Sequence, residues 1–90
     1  MTRITYALDV LKPHNPNNDL LARTLEKLNG VKYVHIKVDE IDNVTTSVYI
    51  TIKGTGDISL DEIKKTLEEN NCALHSVDEV IIDNEAHGEQ

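Results

Sequence analysis

Apolar Ile4, Tyr6, Leu8 and Val10 alternate with Thr5, Ala7 and Asp9, the period-two pattern of a strand with one buried face. Pro13 and Pro16 end it, because neither can donate to a ladder. Asn17 or Asn18 is then placed to cap a helix, with Asp19 near its positive end. Leu20, Leu21, Thr24, Leu25 and Leu28 fall on one helical stripe, while Arg23, Glu26 and Lys27 face out. Asn29-Gly30 supplies the left-handed stop. A second strand runs from Val31 to about Ile41, with Val34, Ile36 and Val38 on one face and Tyr33, His35, Lys37 and Asp39 on the other. Asp42-Asn43 signals a turn. A third strand sets Val48, Ile50 and Ile52 against Ser47, Tyr49 and Thr51, so the two form a hairpin. Gly54-Thr55-Gly56 breaks the pattern. Ser59-Leu60-Asp61-Glu62 is then a capping box with Ile58 and Ile63 as its hydrophobic staple. That helix runs to about Asn70, burying Leu60, Ile63 and Leu67, and Asn70-Asn71 stops it. Ala73 to Ile82 forms the last strand. Residues 1–83 read as one domain and 84–90 as an acidic, mobile tail.

The order β-α-β-β-α-β predicts an α+β fold of the ferredoxin-like, split βαβ kind. Its four-stranded antiparallel sheet is ordered 4-1-3-2, and right-handed crossovers put both helices on one face. The other face stays open. Strands one and three are expected as parallel neighbours, with two and four running against them. On that reading one sheet edge holds the end of strand one, the Gly54–Gly56 loop, the start of strand four and both helix N-termini. It collects Asp9, Lys12, His14, His75, Ser76 and Asp78. Asp9 is out of phase with Leu8 and Val10, so it points to the open face. Register on an antiparallel pair puts it near Ser76, with Asp78 or Glu79 within diagonal reach. Leu74, Val77 and Val80 do not alternate cleanly, which predicts a bulge around Ser76–Asp78.

Composition narrows the function classes. Ninety residues bury about 60–65% of the unfolded surface, a thin core that oligomerisation would extend. With no Phe or Trp, the core must be aliphatic. Nine bases against sixteen acids give a formal charge of −7, which repels phosphate backbones and anionic membranes and tolerates cations. Cys72 is the only cysteine, so a reducing compartment is expected. The start of the chain shows no signal-peptide pattern, and no apolar run approaches a membrane span. The expected location is the cytoplasm.

The candidate chemistry lies toward the end of the first strand and in the loop after it. Asp9, Asp78 and Glu79 meeting on a sheet face would repel unless protonated or bridged, and oxygen ligands suit Mg²⁺ or Ca²⁺. The plainer alternative makes Asp9 a solvated or hydrogen-bonded strand residue. Lys12 and His14, with helix N-termini and the Gly54–Gly56 amides, suggest instead an anion or small-molecule carboxylate, held at a subunit interface. No phosphate-loop motif supports those glycines as a cradle, and turning the chain into its helix explains them. The histidines His14, His35, His75 and His87 show no zinc spacing. Cys72, at a helix end near carboxylates, should keep its proton. Tyr33 and Tyr49 on the open face lack the basic surround of an RNA-binding sheet. Self-association through that face and the edge of strand two is the more economical use.

Leu8-Asp9-Val10-Leu11-Lys12-Pro13-His14-Asn15-Pro16 and Leu74-His75-Ser76-Val77-Asp78-Glu79-Val80 resemble the archaeal family called domain of unknown function 211. Gly30-Val31 leading into a long strand, then Glu40-Ile41-Asp42, also fits. The resemblance implies a ferredoxin-like fold, an archaeal cytoplasmic protein and a ring-like homo-oligomer, with divalent cation binding loosely attached. Its motifs fall on Asp9, Lys12, His14, Asp78 and Glu79, and it carries no activity. The resulting expectation is a non-enzymatic oligomeric binding or regulatory module with Mg²⁺ or Ca²⁺ on the open face. The alternative is a sensor for an amino acid or other anion. A metal-assisted hydrolase is a third reading, without a recognisable nucleophile and base.

Overall fold

The structure, a computed structural model, describes residues 1–84. Six elements follow in order: β1 (Thr2–Pro13), α1 (Asn18–Glu26), β2 (Val31–Ile41), β3 (Thr45–Thr55), α2 (Leu60–Glu69) and β4 (Ala73–Asn84). The helix starts lie where the capping signals put them. Asn17 Oδ1 accepts from Leu20 N at 2.8 Å, and Ser59 Oγ accepts from Glu62 N at 3.2 Å. Gly30, at φ +83°, makes the left-handed exit from the first helical segment. β4 continues through Asn84, so the last strand is longer than the apolar pattern alone predicts, and the tail expected to be mobile otherwise lies outside the described residues.

The sheet order is β2-β3-β1-β4, which is 4-1-3-2 read from the other edge, and the fold is ferredoxin-like. Every pairing is antiparallel, including β1 with β3. This corrects the expected parallel β1–β3 neighbours. The reason is directional: one helical crossover returns the chain so that β2 runs parallel to β1, and the hairpin then reverses it into β3. The single edge expected to gather both helix starts therefore splits into two ends. One holds the close of β1, the start of α1, the β2–β3 turn and the start of β4. The other holds the start of β1, the Gly54–Gly56 loop and the start of α2, with Ile58 packed against the Gly54 position.

Leu8, Val10, Val48, Ile50 and Ile52 of the sheet pack with Leu21 and Leu25 of α1 and Ile63 and Leu67 of α2 in one buried cluster. Leu20, expected on the same stripe, is exposed, because α1 rests mainly over β2 and turns that position outward. Strands of 11–12 residues reach much farther than helices of 9–10, since a strand rises about 3.3 Å per residue and a helix 1.5 Å. The molecule is accordingly 52 × 21 × 19 Å, and the sheet projects past its helices. Val80 and Ile82, opposite Tyr6 and Ile4 on an edge strand, are 52% and 67% exposed.

Candidate functional site

Three strands and an edge build a row of acids across the open face. Asp9 of β1 lies directly between Tyr49 of β3 and Ser76 of β4. Its register with Ser76 is the one the alternation predicts. β4 departs from regular pairing twice beside it, between Ala7/Leu8 and between Asp9/Val10, so that Asp78 and His75 are the extra residues. Bulges re-aim side chains, and here they crowd the acid. His75 Nδ1 stands 3.6 Å from Asp9 Oδ2, whose side chain is only 25% exposed. Ser76 Oγ donates to Asp78 Oδ1 at 2.6 Å. On the other side β2 shifts register between Val38 and Glu40, leaving Asp39 unpaired next to the row.

The electrostatic consequence is read at Tyr49. Its phenol is pushed above 10.0, first by the Asp39 carboxylate, then by desolvation and by Asp9 and Asp78. Three carboxylates from three strands thus act on one hydroxyl. Glu79, by contrast, sits opposite Ala7, one level along the sheet. Among the described residues no three His, Cys, Asp or Glu side chains are grouped closely enough to hold a metal ion. Asp9, Asp78 and Glu79 share a face, but within one chain they do not close into a three-ligand centre.

Lys12 and His14 behave differently from the expected anion pair. Lys12 keeps the phase of Leu8 and Val10, so it points toward the helices and is 3% exposed. Its ammonium donates to the Pro13 carbonyl at 2.9 Å. His14 Nε2 lies 3.0 Å from the Asp42 carbonyl and ties the Pro-bracketed loop to the hairpin turn. These two residues, with Asn17, Asn18, Ile41 and Thr46, line a cleft of about 280 Å³. Asn18 Oδ1 is buried with no hydrogen-bond partner among the described residues. The Gly54–Gly56 amides and the start of α2 are at the other end of the sheet and add nothing to this cleft. The Cys72 thiol is 4% exposed, and burial pushes its pKa up against an opposing pull from Lys12. It is a protonated core thiol, as its position predicts.

Sequence reasoning missed two members of the acid row. Alternation places Tyr49 on the open face and Asp39 among the polar positions of the second strand, and gives neither a role. The signal for Tyr49 was partial: alternation puts it on the open face with Asp9, but its position opposite Asp9 belongs to the β1–β3 pairing, which no turn sets. Asp39 depends on a bulge that no sequence pattern marks.

The family model described as domain of unknown function 211, uncharacterized ArCR, matches residues 4–88. The chain belongs to this archaeal family. The chain is also 40% identical over 74 residues to the uncharacterized protein MJ0319 of Methanocaldococcus jannaschii, covering 82% of this chain and 75% of that protein. Among solved structures, the full extracellular region of zebrafish Gpr126/Adgrg6 superposes with a TM-score of 0.45 at 14% identity. That match covers 91% of this chain and 13% of the other, and it is too loose to bear on function. The matched segment of the domain of unknown function 211 family includes β1 from Ile4 onward and all of β4's bulged half. No helix of the described residues is long and apolar enough to cross a membrane.

Proposed function

We propose that the chain is a non-enzymatic binding module that works as a homo-oligomer, with Mg²⁺ or Ca²⁺ bridging carboxylates where copies meet. The observation that carries this reading is the outer edge of the sheet. β4 is an edge strand of 12 residues, and Val77, Val80, Ile81 and Ile82 on it are 37–67% exposed. A long edge with unpaired backbone groups and bare aliphatics on both faces is a template for another strand, and a second copy is the partner always present. The sequence had suggested the edge of β2, but apolar exposure is more continuous on β4.

Antiparallel pairing of two copies about Ile81 would set Glu79 of each opposite Asp83 of the other. Like charges opposite each other are unfavourable, and a hard divalent cation relieves them. Mg²⁺ commonly binds through one or two carboxylates and keeps its remaining waters, so a site shared between copies needs no three-ligand group within one chain. Asp9 and Asp78 add negative potential behind it. We also assign the protein to the cytoplasm, where a lone thiol such as Cys72 stays reduced.

Mass in solution, measured by light scattering with chelator, Mg²⁺ or Ca²⁺, tests both parts. An oligomer that shrinks in chelator is expected, and Val80→Lys should drive it toward monomer. A chain that is monomeric throughout would sink the reading; an oligomer indifferent to cations and chelator would sink the cation part alone.

A second reading draws on the buried Asn18 Oδ1 and Lys12. A small molecule bearing both a carboxylate for the ammonium and a donor for the amide oxygen, as an amino acid does, would satisfy both groups. A thermal-shift screen of amino acids, with Asn18→Leu as the control, checks it; no hit that the variant abolishes rejects it.

A further inference from the structure

The far end of the open face carries chemistry of the opposite sign. We propose that it binds a small organic anion, a carboxylate or phosphate group attached to an apolar body, in a cleft walled by Arg3, Lys32 and Lys53. This goes beyond the self-associating module proposed above, and it shares with that module's edge only Ile81 and Asp83, the latter here the ion-pair partner of Arg3.

The cleft holds about 580 Å³, within the usual range of about 300–1,000 Å³ for small-molecule sites. Its position follows from the antiparallel register. Thr5 lies opposite Lys53 on one side and Ile81 on the other, while Arg3 lies opposite Thr55 and Asp83. Lys32 is the residue skipped where β2 shifts register between Val31 and Tyr33, which frees it from strict alternation and lets it line the same space. Ile4 and Ile81 supply apolar wall.

Charge makes the cleft specific. Only nine Lys and Arg stand in a chain with sixteen acids, yet three of the nine line this one cleft, with Asp83 as its only carboxylate among the described residues. Asp83 is engaged with Arg3 at 3.2 Å. That contact holds the guanidinium at the wall and leaves the two ammonium groups unneutralised. Among the described residues Lys32 and Lys53 form no ion pair, and Lys53 Nζ rests 4.9 Å from the Tyr33 ring centroid. Cations that repel each other over low-dielectric walls focus a positive field into the cleft. An oxyanion answers that field with charge-assisted hydrogen bonds, and the aliphatic wall answers the rest of the molecule. A bare inorganic ion would gain only the first.

The test is an NMR titration of the full chain with phenyl phosphate, benzoate and inorganic phosphate, compared with the Lys32→Met, Lys53→Met double variant. Both positions are exposed, so the fold is expected to survive. Phenyl phosphate or benzoate should shift the amides of residues 3–5, 32–33, 53–55 and 81. Binding should weaken roughly 10- to 100-fold in the double variant, the loss expected for hydrogen bonds to charged groups, and fall with added salt. Inorganic phosphate should bind more weakly than phenyl phosphate; equal binding would overturn the apolar half of the proposal. Whichever of phenyl phosphate and benzoate binds more tightly identifies the headgroup. Absence of shifts at millimolar probe, shifts that map to the Lys12 cleft, or equal affinity in the double variant would each overturn the site. Oligomer mass in the same double variant should be unchanged, so failure here is separable from failure of the self-association reading.

Discussion

Substituting Gly54 by Ala should be the most damaging single methyl addition at the far end of the sheet. A Cβ there would stand 2.0 Å from the Gly30 carbonyl oxygen, 2.7 Å from Ile58 Cδ1 and 2.9 Å from the Gly30 carbonyl carbon. Real Cβ atoms essentially never approach within 3.0 Å of such neighbours, so two backbone segments must separate. The Gly30 carbonyl also accepts from Thr55 N at 2.9 Å, and moving it weakens the bond that closes this end of β2 on β3. Overpacking of this kind costs about 1–3 kcal/mol, and a poorly satisfied backbone pair adds about 1–3 kcal/mol. The expected total, about 2–4 kcal/mol after partial relaxation, is a large share of the roughly 5–15 kcal/mol that stabilises a domain. For a chain of this size it corresponds to a drop of about 10–30 °C in Tm. Circular dichroism melts and urea titrations of Gly54→Ala measure it. Gly56→Ala is the control, since its Cβ would meet only the Thr2 side chain at 3.3 Å. A Gly54→Ala variant within about 0.5 kcal/mol of the parent would refute the reasoning and show that the two backbones are not in contact there.

The Tyr49 phenol is raised by Asp39 first, and by desolvation, Asp9 and Asp78 after it. Its folded pKa exceeds the unfolded one, so its contribution to stability is complete below 10.0 and is lost as pH rises through the folded value. Tyrosinate absorbance, with Tyr49→Phe subtracted, should show a titration above 10.0 that moves down in Asp39→Asn; an unmoved curve would remove Asp39 from the row. Ser59→Ala deletes the cap that accepts from Glu62 N and should lower stability by about 1 kcal/mol, read by urea denaturation; no loss would mean the capping box contributes nothing to α2. Cys72, 4% exposed with its thiol pushed up by burial, should react with iodoacetamide in native protein far more slowly than in urea. Equal rates would contradict a buried, protonated thiol.

Much of the acid row was legible before any coordinates. The phase of Asp9 against Leu8 and Val10 put it on the open face, and the broken alternation of Leu74, Val77 and Val80 marked the bulges that β4 makes around it. The burial of Lys12 was legible too, because it shares the phase of Leu8 and Val10, but its charge invited a surface role. The cationic cleft was hidden by one error of direction. With β1 and β3 taken as parallel, Lys53 falls far from Arg3 and Thr5; with them antiparallel, it lies opposite Thr5.

By itself, then, the chain's sequence determined its six elements, their caps and stops, the inward face of the first three strands and the family they belong to. Those are local properties, written in spacings of two to four residues and in single turns. The tertiary structure alone decided which ends of the strands lie together, and so parted the acids of Asp9, Asp39 and Asp78 from the bases of Arg3, Lys32 and Lys53. That division rests on strand direction and on bulges, which are set by hydrogen bonds between residues far apart in the chain. It also decided that β4 lies at the sheet's edge with its aliphatic residues bare, because edge position follows from strand order and not from any local pattern.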